Sequence, residues 1–349
     1  MQLKYLSTLL ILLIFYACEQ QQTVDNESWL IPKSEVRDGG PGKDGIPSID
    51  NPIFIDAETA DFLDPDDLIV GVKVGDDIRA YPHLILDWHE IVNDQLDDLA
   101  LSLNYCPLTG TAIGWNRTID GNTTTFGVSG LLYNTNLMPY DRLTNSTWSQ
   151  MRLDCVGGEL KGESADLYPV VETTWANWKK RYRNTKVLST NTGFNRRYGQ
   201  YPYGDYRTSN QLIFPVNNRD DRLNPKERVL GIIVENEVKV YRFESVSKEI
   251  NNVIQDQIRN VDIVIFGSQQ DNYLIAYEAR TEDGTTLSFD AINGTEEAVA
   301  IDNEGNEWNL FGEAISGARK GQKLLSTKSY IGYFFSWGAF YPSLEIYEE

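Results

Sequence analysis

The sequence predicts an α+β, β-rich fold built from two tandem, diverged copies of a hairpin–helix–strand unit that form a two-lobed globule. Three observations carry this. Apolar and polar residues alternate along Leu99–Cys106 (LALSLNYC), the period-two mark of a strand. Leu84, Ile85, Trp88, Ile91 and Val92 fall at helical spacing behind Pro82, a good opening residue for a helix. Ile69–Tyr81 (IVGVKVGDDIRAY) realigns with Val229–Tyr241 (VLGIIVENEVKVY) at a shift of 160.

Residues 1–17 hold one lysine, an apolar run from Leu9 to Phe15 and a closing Ala17, the pattern of a signal peptide too short to span a bilayer. Phe15-Tyr16-Ala17-Cys18 resembles the lipobox of bacterial lipoproteins. That resemblance implies lipidation of Cys18, the lipid bilayer as a partner, and a place in the bacterial cell envelope facing the periplasm or exterior. Ordinary secretion is the alternative. Residues 18–44 are polar, with Gly39-Gly40-Pro41-Gly42, and read as a tether.

The first lobe is expected over 45–190. Leu68–Val74 and Ile78–Tyr81 form a hairpin around Gly75-Asp76-Asp77. The helix opened by Pro82 ends at Asn93-Asp94, and the Leu99–Cys106 strand follows. Pro107 stops that strand, since it has no N–H to offer, and a hydroxyl-rich loop begins. Thr111–Arg117 and Thr123–Val128 pair around Asp120-Gly121, Ser129–Asp141 is irregular, Thr147–Arg152 is a strand, and Thr174–Tyr182 is a short helix. Residues 191–227 are a connector rich in tyrosine, expected to pack over a domain seam, with a stacking surface for a ligand as the alternative. The second, degenerate lobe is 228–349: its helix is marked by Phe243, Val246, Ile250, Val253 and Ile254, and its strand by Val261–Phe266. Trp148 corresponds to Trp308, and Trp178/Tyr182 to Trp337/Tyr341. At the same shift His89 becomes Glu249 and Cys106 becomes Phe266, as if a site kept in the first copy were abandoned in the second.

A net charge of −20 repels phosphate backbones and excludes nucleic acid as a partner. Of the three cysteines, Cys106 and Cys155 could pair in an oxidising compartment, although nothing in their spacing demands it. The histidines are His83, expected on the surface, and His89. Cys106 with His89 as base suits thiol chemistry, with Asp141 or Asn104 orienting the base. Thr109, Thr111, Ser129 and Trp148 would line such a site. Arg142 and Gln150 suit an anionic substrate. The same Cys106/His89 pair, with Met138, suits a soft metal such as copper, whereas zinc would want four ligands of Cys or His type. The two side chains meet only if the helix tilts strongly across the sheet.

HEIVND (89–94), YCPLTGTA (105–112), SGLLYN (129–134) and DRLTNSTWSQ (141–150) resemble a bacterial and archaeal envelope family catalogued as domain of unknown function 3179. The resemblance runs from about Trp29 to Ser343 and implies no established activity. Relatives usually carry Met just before the Tyr-Asp-Arg, where this chain has Pro139 with Met138 one place earlier. The sequence leaves open thiol chemistry or soft-metal binding at Cys106/His89, or a non-catalytic binding or scaffold lipoprotein whose motifs are structural.

Overall fold

The computed structural model describes residues 28–248 and 251–348. The expected signal peptide, Cys18 and the first part of the tether lie outside the described residues. Strand outweighs helix, 42% to 9%, and the strands form several sheets.

The predicted hairpin is present as Leu68–Val74 and Asp77–Pro82. It forms the middle of a sheet ordered Val171–Thr174, Leu68–Val74, Asp77–Pro82, Lys186–Leu188, Phe54–Asp56, in which Lys186–Leu188 runs parallel to Asp77–Pro82. Helix α1 (His83–His89) follows and is shorter than its apolar spacing predicts. Glu90 takes φ 58° and ψ −36° and ends the helix. Ile91–Leu96, expected as the last turns of that helix, is instead a strand, antiparallel to Leu99–Cys106 with Ile91 opposite Asn104. Two features favour the strand. Ile91 and Val92 are β-branched. The Asn93 side chain copies a backbone rung, donating to the carbonyl of Phe126 and accepting from its N–H, both at 2.8 Å. The sheet continues through Thr111–Asn116 to Leu167–Tyr168.

Ser129–Asp141, expected to be irregular, is part of a hairpin. Phe126–Tyr133 and Asn136–Asp141 pair across Asn134-Thr135, whose φ values of 48° and 69° suit the tight turn of a twisted hairpin.

In the second half, Lys328–Tyr333, Arg228–Val234, Glu237–Arg242 and Glu345–Ile346 lie side by side in that order, the last pair parallel. Asn252–Ile258, expected to continue a helix, is a strand beside Val261–Ser268, followed by Tyr273–Thr281 and Leu324–Ser326. Its residues alternate, Ile254 and Ile258 inward and Gln255 and Gln257 outward, and only a 3-10 turn at Phe243–Ser245 precedes it.

Helices α2 (Trp175–Arg181) and α3 (Phe334–Phe340) each press a tryptophan onto a strand glycine. A Cβ on Gly71 would lie 2.1 Å from the Trp178 ring, and one on Gly231 2.3 Å from the Trp337 ring. Neither core stays within one half of the chain. Trp178 shares a cluster with Phe266, Tyr277 and Trp308, and Trp337 shares one with Cys106, Trp115 and Trp148. Backbone bonds cross as well: Thr174 N–H donates to Asp271 O at 3.0 Å and Tyr333 N–H to Thr109 O at 2.7 Å. The halves therefore interlock. Among the described residues no helix is long and apolar enough to cross a membrane.

Candidate functional site

Cys106 closes its strand and is 1% exposed, its Sγ 3.8 Å from the carbonyl of Thr135. Burial, with the Glu90 carboxyl nearby, pushes the thiol up to about 11. It is therefore protonated at neutral pH and a poor nucleophile. His89 is turned elsewhere. Its Nδ1 lies 2.7 Å from the carbonyl of Pro47 and its Nε2 2.6 Å from the hydroxyl of Tyr198. A carbonyl only accepts, so Nδ1 carries the proton and Nε2 accepts from Tyr198. Burial lowers the pKa of His89, in keeping with this neutral ring. With both nitrogens engaged, His89 has no lone pair for the Cys106 proton. The strong tilt that would join the two is replaced by a break: the chain turns at Glu90, and the Glu90 carboxyl is the acidic neighbour of the thiol.

Cys106 and Cys155 are both free and buried, so the possible disulfide is not formed. Cys155 packs its sulfur against the carbonyls of Thr147 and Gly157 at 3.4 and 3.5 Å. Among the described residues no three His, Cys, Asp or Glu side chains converge as a metal requires, and Met138 is buried with Ile31 and Val156. Among the described residues the copper expectation finds no such ligand set.

Thr109, Thr111 and Gln150 do meet, beside Cys106, and with Asn136 they satisfy one another. Thr111 donates to Gln150 Oε1 at 2.6 Å, and Asn136 Nδ2 donates to Gln150 Oε1 at 2.7 Å and to Thr109 Oγ1 at 3.0 Å. Gln150 spends its own amide on the carbonyl of Asn104 at 2.7 Å. Such a closed, buried network specifies a fold and presents no free group to a ligand. The remaining predicted residues lie apart from it. Ser129 accepts from the N–H of Leu131 at 3.0 Å within the hairpin's bulge. Asp141 accepts from Thr144 N–H at 2.7 Å and from Trp148 Nε1 at 3.1 Å, closing a turn. Arg142 bridges Asp44 and Asp50, each at 3.1 Å.

The tyrosine-rich connector lies over these motifs as a strap. Tyr201 OH donates to Pro107 O at 3.1 Å, Tyr206 OH to Leu108 O at 2.9 Å, and Tyr203 OH to Glu90 Oε1 at 3.3 Å. Burial pushes the Glu90 carboxyl up to about 7. Lys226 pins the strap by donating to the carbonyls of Tyr206, Ser209 and Gln211.

Beside the strap opens a cleft of about 430 Å³, within the range of small-molecule sites. Its walls come from α1 (His83, Asp87), the Cys106 strand (Tyr105), the strap (Tyr201, Arg207) and the second half (Arg228, Tyr333), with Asp64, Asp66 and Asp67 on the lining as well. His83 and Asp87, four residues apart, share a helix face. Asp87 pairs with Arg207 at 2.5 Å, yet burial holds its carboxyl up at about 6. Arg207 is 37% exposed on its side chain and lies over the Tyr201 ring at 4.0 Å. Arg228 pairs with buried Glu172 at 3.0 Å. His83, expected on the surface, is 7% exposed. Its Nε2 lies 3.0 Å from Glu172 Oε2 but off the angle of a hydrogen bond, and burial lowers its pKa. The apolar spacing of α1 hid this face, because the strap and the second half bury positions that the sequence marks as polar. The spacing of His83 and Asp87, with the arginines among the connector tyrosines, is the signal that could have found it.

A family model described as "Protein of unknown function (DUF3179)" matches residues 43–344. No curated protein and no solved structure matches the chain.

Proposed function

The chain belongs to this family of unknown function, DUF3179, and from that premise we propose that it is a lipid-anchored envelope protein that binds a small molecule in the His83–Arg207 cleft and does no chemistry on the Cys106 thiol. One observation carries the reading. Charged and hydroxyl groups from both halves and the strap converge around open space at the cleft, whereas the Cys106 thiol is buried with its proton held and the neighbouring threonines, Asn136 and Gln150 are bonded to one another. The motifs then serve to hold the strap and the cleft wall. The lipobox-like Phe15-Tyr16-Ala17-Cys18 supports the anchor.

Within this reading the two halves are diverged copies whose shared boundary is the cleft. The first four strands of the five-stranded sheet match the four-stranded sheet of the second half in order, with the fourth strand parallel to the third in each. Tyr81 OH donates to Asp94 and Tyr241 OH to Asp256, both at 2.6 Å. Trp148 donates to Asp141 at 3.1 Å and Trp308 to Asp302 at 2.9 Å.

Thermal unfolding of the purified chain with a panel of small acids, amines, zwitterions and sugars tests the binding reading. At least one class should raise the midpoint in the native chain and not in an Arg207→Gln variant. No response to any class, together with fast reaction of native Cys106 toward thiol reagents, would overturn it in favour of thiol chemistry.

A further inference from the structure

We propose that the cleft takes a small zwitterion of the amino-acid type, its carboxylate against Arg207 and Tyr333 and its ammonium toward Asp64 and Asp66. The proposal rests on the binding reading above and names its ligand class.

The inner wall offers donors. Arg207 spends Nη2 on Asp87 and on the Tyr105 hydroxyl at 3.2 Å, and its Nε and Nη1 have no partner among the described residues. The Tyr333 hydroxyl, from the other half of the chain, is likewise without a partner among the described residues, and Arg207 and Arg228 both act on it to lower its pKa against the effect of burial. Asp87, Tyr105 and the Tyr201 ring hold the guanidinium in place. A fixed, partly exposed guanidinium edge beside a free hydroxyl suits a carboxylate, which accepts two parallel N–H bonds.

The acidic lining has the opposite sign. Asp64 and Asp66 are exposed, and no side-chain hydrogen bond or ion pair engages either among the described residues. Asp67 spends one carboxyl oxygen on the N–H of Asp64 at 2.8 Å. These carboxylates repel a simple anion and attract an ammonium. A simple amine would gain them but would meet the arginines within. A molecule carrying a charge of each sign satisfies both, and Phe62, Leu68 and Leu84 in the lining give its apolar portion a surface.

The experiment compares phenylalanine with its two half-molecules, 3-phenylpropionate and phenethylamine, and with glucose, by thermal shift and calorimetry on the full chain. Phenylalanine should raise the midpoint by a few degrees near saturation, and each half-molecule should bind at least tenfold more weakly. Arg207→Lys should weaken phenylalanine at least tenfold, because an ammonium cannot present the planar fork. The surface variant Asp64→Asn/Asp66→Asn, which disturbs no internal bond, should bring phenylalanine and 3-phenylpropionate closer in affinity. That change should shrink in high salt. Equal binding of phenylalanine and 3-phenylpropionate to the native chain would overturn the zwitterion. Binding of glucose alone would keep the cleft as a site and overturn the ligand class. Binding of none would overturn the zwitterion, while the binding reading falls only to the wider panel and the thiol test above.

Discussion

Tyr105 donates its backbone N–H to the carbonyl of Glu90 at 2.6 Å, and this bond sets which side chain accompanies the Cys106 thiol. It extends the antiparallel pairing of Ile91–Leu96 with Leu99–Cys106 by one residue, so the break after α1 stands level with the end of the Cys106 strand. His89 then faces Pro47 and Tyr198, and the Glu90 carboxyl faces Tyr203 and the thiol.

Glu90 should leave a mark on the pH dependence of stability. Its carboxyl is raised by burial from an ordinary 4.5 to about 7. An acid raised by folding favours the folded state while it is protonated. That contribution is whole below 4.5 and is lost as pH rises through about 7. The difference is on the order of 3 kcal/mol. Glu90→Gln should therefore flatten this decline and, above neutrality, be more stable than the native chain by up to about 3 kcal/mol. Urea unfolding on either side of the window checks it. Identical pH profiles would show that the carboxyl is not held neutral.

The thiols should be silent in the folded chain. Cys106 is held up at about 11 and Cys155 at about 12. In a Cys18→Ser background, where only these two are present, a thiol-directed reagent near neutral pH should react at the rate of unfolding. Labelling of Cys106 much faster than global unfolding would contradict its burial. Since folding raises both pKa values above the ordinary 9, stability should also fall as pH climbs through about 11.

His89→Ala should loosen the strap without touching the thiol. It strands the Pro47 carbonyl, at about 1–3 kcal/mol, and leaves the Tyr198 hydroxyl with Thr192 alone. Trypsin should then cut sooner after Arg196 or Arg197, next to Tyr198 in the strap. Unchanged cleavage would mean that the ring does not tether the strap.

Much of the first half was legible, because its pattern is local. Leu99–Cys106 was recovered residue for residue from its alternation, and Leu68–Val74 from its run of valines and turn residues. Ile91–Leu96 was not. Its apolar residues continue the helical spacing of α1, and the β-branched Ile91 and Val92 choose the strand only together with the break at Glu90 and the Asn93 amide bonds to Phe126. The cleft was hidden for the same kind of reason. Arg228 and Glu172 are 56 positions apart, and His83 is covered by residues that no local pattern ties to it. Thr109, Thr111 and Gln150 were legible as a group, since the motif places hydroxyls beside the strand end, but not as a closed network.

Asp87 and Arg207 should be coupled. Arg207→Gln leaves a buried carboxyl unpaired and should cost about 2–4 kcal/mol, and Asp87→Asn alone should cost less. In the double variant the two losses should fall short of their sum by more than about 1 kcal/mol. A cycle that closes additively would mean that the pair makes no cooperative contribution to the cleft wall.

The exchange of tryptophans between the halves also bears on how the chain reaches its native state. Trp178 finds Phe266 and Trp308 only after some ninety to one hundred and thirty further residues have been placed, and Trp337 reaches back past two hundred to Trp115. A fragment ending near the connector would carry α2 with its apolar face unclothed. Folding must therefore wait for nearly the whole polypeptide, and closure of such long loops makes it slow. The early half-chain is the species in need of a chaperone, and a break in the strap of the finished protein would still leave the two pieces fastened by their cores.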